Sequence, residues 1–221
     1  MNKGQNAGSS HVDNVLKDYE RIAGFYDTHW SDYTNAIHDW TLSRIKETQS
    51  PQSILDVGCG TGMMLQRLSE VFPSSDLTGL DTSPSMLKQA VENCPEARLV
   101  ETNVDNDWPL CGEHRWDAVL SLSVLHHLED HKAHFHRLHH YCSKDGAAYL
   151  ADFALDSLSM TIGDIWWKMR LPSYVKAYSS KRLKQLIQES GFFEISEQQI
   201  FKPNNFWRVQ VYRLCPLNKW L

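Results

Sequence analysis

The chain contains no Cys-X-X-Cys pair, no apolar core of signal-peptide length near Met1, and no uninterrupted apolar run of the roughly 18 residues that mark a membrane span. Its five cysteines, Cys59, Cys94, Cys111, Cys142 and Cys215, are odd in number and widely scattered. That pattern argues against both a disulfide framework and a zinc knuckle, and a reducing, cytoplasmic setting is the expectation. Cationic excess is missing too: 22 Lys and Arg against 27 Asp and Glu leave a formal net charge of −5. Broad binding to nucleic acid or to an anionic membrane needs a strong cationic field, so a small molecule is the expected partner. Oligomeric state has no signature in the sequence.

What is present is an ordinary globular composition, 42% apolar and 22% charged, and 221 residues suit one domain with a sizeable core better than two. Residues 1–11, with Gly4, Gly8, Ser9 and Ser10, read as a disordered tail ahead of a single domain over 12–221. Residues 12–49 read as a helical cap: Val15, Tyr19, Ile22 and Tyr26 follow helical spacing, as do Ile37, Trp40, Leu42 and Ile45, with an aromatic stretch through Trp30 between them.

The centre of the pattern is Leu55-Asp56-Val57-Gly58-Cys59-Gly60-Thr61-Gly62-Met63. A short apolar strand runs into alternate glycines, which permit positive φ or close approach of a ligand, and then into an amphipathic helix through Met64, Leu65 and Leu68. The dinucleotide fingerprint Gly-X-Gly-X-X-Gly would need glycine at position 63, where the chain has Met63. With Asp56 at the strand end and no Lys or Arg in the loop, the turn suits a zwitterionic ligand better than a pyrophosphate.

A second strand over 77–80 ends in Asp81, and Thr82-Ser83-Pro84 supplies a cap and a first-turn proline for the next helix. A third strand over 97–100 precedes the polar loop through Asn103, Val104 and Asp105. A fourth, near-continuously apolar, covers 116–121, and a fifth covers 147–152 behind a helix stopped by Lys144-Asp145-Gly146. Alternating strands and helices predict an α/β fold with right-handed crossovers. Helix Ser180 to Gly191 and two alternating strands close the chain.

Asp56 to Gly62 resembles the first motif of the class I, Rossmann-like S-adenosylmethionine-dependent methyltransferases of small-molecule type. Asp81 with the following Thr82-Ser83-Pro84-Ser85-Met86-Leu87 is similar to that family's second signature, and Leu125-His126-His127-Leu128 resembles the end of its fourth-strand motif. The resemblance implies a mostly parallel seven-stranded sheet with helices on both faces and its last strand antiparallel, with S-adenosyl-L-methionine as cofactor. It places cofactor contacts on Asp56, Gly58, Cys59, Gly60 and Gly62, on Asp81, Thr82 and Met86, on Ser121, and on Asn103, Val104 or Asp105, among which the residue facing the adenine is left open. The acidic residue after the second strand holds the ribose hydroxyls in this family, and a carboxylate can accept from both.

Methyl transfer by in-line displacement demands positioning and exclusion of water, and needs a general base only for a poor nucleophile. His126 and His127, at the end of the fourth strand, are the candidate catalytic groups. The histidines continue through His131, His134, His136, His139 and His140. Their i, i+4 pairs lack a completing carboxylate or cysteine, so they read as a solvated helix face and not a metal site. Residues 153–178 break the α/β rhythm and read as a lid, with Tyr26, Trp30, Trp166, Trp167 and Tyr174 as candidate acceptor contacts suited to an apolar or aromatic molecule. From Ile165 to Gln188 the charged residues are Lys168, Arg170, Lys176, Lys181, Arg182 and Lys184. That basic run suits a carboxylate-bearing acceptor. It also keeps an RNA or protein methyltransferase as an alternative, although no Asn/Asp-Pro-Pro-Tyr/Phe motif follows the fourth strand. A protein that binds the cofactor without turnover is the third reading.

Overall fold

The computed structural model describes residues 5–48, 50–106, 108–110 and 114–217. Seven strands among them form one sheet in the order β3-β2-β1-β4-β5-β7-β6: β1 (Ser53–Val57), β2 (Asp76–Asp81), β3 (Arg98–Glu101), β4 (Trp116–Leu122), β5 (Cys142–Phe153), β6 (Phe193–Phe201) and β7 (Val209–Pro216). The first five pair in parallel, and β7 runs antiparallel to both β5 and β6. The Rossmann-like sheet with one antiparallel strand, implied by the resemblance, is therefore what the chain forms. Strand β1 is buried along its whole length, as a central parallel strand covered on both faces must be.

Helices α1 (Gln5–Ile22), α2 (Tyr26–His29) and α3 (Ser31–Thr48) precede the sheet. Helices α4 (Met63–Val71), α5 (Pro84–Asn93), α6 (His131–Tyr141), α7 (Leu158–Arg170) and α8 (Ser180–Ser190) follow within it. Their ends use the expected chemistry. Ser83 caps α5 by accepting the Met86 N–H with Pro84 in the first turn, and Gly191 ends α8 at φ 75°. Crossovers leave β1 and β4 toward opposite sides of the sheet, so the carboxyl ends of these neighbours form the switch point at which open α/β sheets bind ligands. No helix among the described residues is long and apolar enough to cross a membrane.

Three local expectations are corrected. Residues 5–11, expected in a disordered tail, are the first turns of α1; packing of its Val12, Val15 and Tyr19 against the cleft overrides the poor helix propensity of the Gly and Ser residues. Residues 1–4 lie outside the described residues. Lys144-Asp145-Gly146 does not stop a helix but belongs to β5, because Cys142 already pairs with Trp116 and a bulge absorbs the extra residues before Ala118 meets Ala147. The histidine helix is not a solvated face throughout: His131 and His134 are buried, with His134 Nε2 2.9 Å from Ser121 Oγ, while His136 and His140 are exposed.

Candidate functional site

The glycine loop is shaped by main-chain requirements. Gly58, Gly60 and Gly62 all have positive φ, at 74°, 54° and 78°. A Cβ at Gly58 would meet Val124 Cγ2 at 2.5 Å, and one at Gly62 would meet Ala90 at 2.9 Å; at Gly60 nothing lies within 4 Å. Gly58 and Gly62 thus let the loop pack on its neighbours, and Gly60 turns toward open space. The Gly58 and Cys59 N–H groups donate to the Leu80 carbonyl, at 2.7 and 2.9 Å, which ties the loop to the end of β2.

Asp81 stands beside it. One carboxylate oxygen accepts the Gly60 N–H and the other the Ser83 N–H, each at 2.8 Å. Burial raises its pKa, partly offset by these N–H donors. Asp56 is more strongly affected: burial, and then the charge of Asp81, push its pKa to about 7. A buried carboxyl so placed is poised to receive a cation, which would favour its charged form.

Two hollows meet at this loop. One, of about 650 Å³, is lined by Gly58, Gly60, Asp81, Thr82, Asn103, Val104 and Asp105, with α1 contributing His11, Val15 and Tyr19. The other, of about 810 Å³, is lined by Asp56, Gly58, Cys59, Gly60 and Thr61 with residues of α2 and α3. The first contains an acceptor without a partner: Asp105 Oδ1 is buried with no hydrogen-bond partner among the described residues, whereas Oδ2 accepts the Glu129 N–H at 3.3 Å. A cleft with a carboxyl at the end of β1, a carboxylate at the end of β2 and an unsatisfied acceptor after β3 fits an elongated nucleoside bearing an amino-acid arm.

A third hollow, of about 510 Å³, adjoins both. It is lined by Asp18, Tyr19, Ile22, Tyr26, Trp30, Tyr33, Ser123, His126, His127, Phe153, Trp167, Leu171, Ser173 and Tyr174. Tyr26 and Ser123 line all three hollows, so the junction lies between them. Ser123 is also the one non-glycine residue of positive φ among those described, at 65°, a strain of the kind stored at functional sites. Its hydroxyl donates to Tyr33 Oη at 3.0 Å.

The two histidines at this junction are held differently. His126 Nδ1 is 2.8 Å from Asp152 Oδ1, and the other oxygen of Asp152 accepts the His126 N–H at 3.0 Å. A carboxylate only accepts, so Nδ1 carries a proton, and in the neutral ring Nε2 is the lone-pair nitrogen of a side chain that lines the third hollow. His127 Nδ1 lies 2.7 Å from the Ser173 carbonyl and therefore donates to it; Nε2 then accepts the Tyr19 hydroxyl, also at 2.7 Å. Burial drives the His127 pKa well below the usual histidine range and raises that of Tyr19, so the pair is neutral. Both ring nitrogens of His127 are engaged. It clamps α1 to the segment after α7, and only His126 combines a lone pair with a carboxylate partner.

The remaining sequence candidates divide. Tyr26, Trp30, Trp167 and Tyr174 line the third hollow, with the Tyr174 hydroxyl donating to Asp164 at 2.8 Å. Four do not reach it or the cofactor cleft. Gly62 packs on Ala90 of α5 and lines none of the three hollows. Ser121 is fully buried and bonded to His134; Met86 is core beneath the α5 cap; Trp166 is 53% exposed on the outer side of α7. Ser121 and Ser123 point to opposite faces of the chain leaving β4, and a two-residue displacement of that kind is invisible without the sheet. The basic run is likewise outside: Lys168 pairs with Asp164, the Lys176 ammonium sits over the Tyr178 ring and Arg182 pairs with Glu189. Among the described residues no Lys or Arg lines the third hollow. Sequence reading missed Asp152, Tyr19 and Ser123; of these, only Asp152 left a signal, as a carboxylate ending a predicted strand next to the one that carries His126.

Comparison with known proteins gives the family and the fold. A family model described as a methyltransferase domain matches residues 29–197, more than half of the chain. A trans-aconitate 2-methyltransferase of Klebsiella pneumoniae is 24% identical over 186 residues, covering 81% of this chain and 62% of that protein. One of Afipia carboxidovorans is 34% identical over 97 residues, covering 44% and 36%; the chain thus spans between about a third and two thirds of the length of these relatives. Among solved structures, the magnesium protoporphyrin IX methyltransferase of Synechocystis PCC 6803 with bound SAH superposes with a TM-score of 0.70 at 16% identity, covering 93% of this chain and all of that one. The chain belongs to the methyltransferase domain family.

Proposed function

As a member of that family, the chain is one for which we propose S-adenosylmethionine-dependent methylation of a hydroxyl on a neutral, apolar or aromatic small molecule. The observation that carries this reading is the pairing of His126 with Asp152 in a hollow walled by aromatic rings and adjoining the glycine-loop cleft.

The cofactor's amino-acid arm fits against Asp56 and the loop, its ribose hydroxyls against Asp81, and its adenine amino group against Asp105 Oδ1, the unsatisfied acceptor. When bound, S-adenosylmethionine supplies an electrophilic methyl group. The residues of the chain do the rest. Tyr26 and Ser123, at the junction, place the acceptor, and Tyr33, Phe153 and Trp167 exclude water around it. His126 Nε2 takes the hydroxyl proton as the acceptor oxygen becomes the nucleophile, and Asp152 stabilises the imidazolium that results.

The trans-aconitate 2-methyltransferase relatives raise a polycarboxylate as the competing acceptor, for which no base is required. The lining argues against it: Asp18 is an acid, no Lys or Arg is among the described lining residues, and the walls are largely aromatic. Desolvating several carboxylates there would go uncompensated. Calorimetric titration with S-adenosylhomocysteine, followed by mass spectrometry of neutral phenols and of trans-aconitate incubated with S-adenosylmethionine, tests the proposal. A gain of one methyl on a phenol is expected, and methylation of trans-aconitate alone overturns it.

A further inference from the structure

A second concavity lies outside the acceptor pocket. It spans about 1090 Å³, its open mouth included, between the turn before α2, the outer side of α7 and the loop before β7, with Phe25, Ile162, Trp166 and Phe206 on its walls. These four side chains are 52, 59, 53 and 41% exposed, an unfavourable amount of apolar surface to leave in water. Ile22, Trp30, Trp167 and Leu171 line both this groove and the acceptor pocket, so the two hollows back onto one another. Apart from His29 and Gly163, every residue lining the groove is apolar or aromatic.

The rings between the hollows form a continuous run. His126 lies tilted against Phe153 with centroids 4.7 Å apart; Phe153 lies 5.1 Å from Trp167; Trp167 lies 5.4 Å from Trp207 and nearly parallel to it. Gly163 makes the outer end fit, because a Cβ there would crowd Phe206 and Trp167, each at 3.2 Å. A helix interior pays roughly 1 kcal/mol for glycine over alanine, so the close aromatic packing is what this position provides.

We infer that the groove is the outer subsite of the acceptor: the methyl acceptor is an extended molecule whose hydroxyl end sits by His126 and whose uncharged apolar arm lies across Trp30 and Trp167 onto Ile162 and Phe206. This inference rests on the acceptor pocket proposed above. The choice of occupant follows from the four residues the groove shares with that pocket and from the absence of any Lys, Arg, Asp or Glu among the described residues lining the groove. On the same helix, Ile165 and Met169 are also exposed but lie outside the groove, which provides an internal control.

The test compares phenol with 4-hexylphenol, each titrated into the full chain saturated with S-adenosylhomocysteine. Burial of the alkyl arm should make the long phenol bind roughly 30-fold tighter or more. Ile162→Asp should bring that ratio to within about fivefold, while Ile165→Asp leaves it at the wild-type value, with circular dichroism showing both variants folded. Equal affinity of the two phenols, or an equal loss in the two variants, overturns the inference. So does light scattering that reports a dimer dissociated by both substitutions, or vesicle binding abolished by both, since the apolar face would then belong to a second copy or to a lipid surface. If the arm effect and its loss in Ile162→Asp are seen but neither phenol gains a methyl, the groove stands and the hydroxyl chemistry falls. If both phenols are methylated with no dependence on the arm, the chemistry stands and the groove falls.

Discussion

From Asp56 to Asp105 the cleft is shaped by main chain and strand-end carboxyl groups that lie close together in sequence; around His126 it is shaped by side chains from α1, α3, β5, α7 and the turn after β4. The first region depends on backbone conformation: three glycines at positive φ, N–H groups held by Leu80 and Asp81, and a capped helix. The second depends on residues more than a hundred positions apart, as in the contact of Tyr19 with His127. Backbone geometry suits a ligand that is always the same, whereas side chains can be exchanged to suit different acceptors without disturbing the loop.

If the two regions divide the work in this way, substitutions should separate turnover from cofactor affinity. The largest effect is expected for His126→Ala, which should lower kcat for a phenolic acceptor by roughly 10²–10⁴-fold. Its affinity for S-adenosylhomocysteine, measured by calorimetry, should stay within about threefold of wild type, since the lost base does not touch the cofactor cleft. A parallel loss of cofactor affinity would break the comparison. Asp81→Ala should do the reverse, weakening S-adenosylhomocysteine by about 100-fold through lost charge-assisted hydrogen bonds. Asp152→Asn keeps the shape but no longer fixes the His126 tautomer; kcat should fall by roughly 10–100-fold with KM little changed, and its pH profile should shift.

A smaller effect concerns Asp56. Its pKa stands near 7 in the free protein, so below that pH a cation must displace a proton, and S-adenosylhomocysteine affinity should fall by up to about tenfold per pH unit. Asp56→Asn should bind more weakly and without that slope. Stability carries the opposite sign. A carboxyl raised from 3.8 to about 7 on folding contributes stability that is complete below its unfolded value and lost as pH rises through about 7. Thermal melts of the free protein should show this fall between those limits, and Asp56→Asn should flatten it. The smallest change is Ser83→Ala, which removes the α5 cap and should cost roughly 1 kcal/mol in a denaturant melt while leaving kcat unaltered.

The conformation of the glycine loop and of the strand ends beside it was largely legible in advance because its determinants are local. Alternate glycines between an apolar strand and an amphipathic helix specify a turn, and Asp81 followed by Ser83-Pro84 specifies a strand end and a cap; spacing along one short stretch carries each conclusion. Asp105 became distinct from Asn103 and Val104 only through its unmatched oxygen. Ser121 and Met86 were misplaced because which face of a strand or helix meets a cleft depends on what packs against the other face. The basic run after Ile165 suggested an anionic acceptor, but charge composition does not say where side chains point; Lys168, Lys176 and Arg182 end on partners outside the pocket, and none of the six lines it.

By itself, then, the sequence determined the order of the seven strands and of the helices other than α7, which lies in the stretch read only as a lid, together with the glycine turn and the acidic ends of β1 and β2, since local propensity, capping and hydrophobic period act over a few residues. Only the tertiary structure decided which histidine pairs with a carboxylate beside the third hollow, that Asp152 is that partner, and that the described walls are largely aromatic, with Asp18 the one carboxylate among them. Those facts arise from contacts between segments far apart in the chain, where burial and hydrogen-bond partners, not spacing, assign each side chain its chemistry.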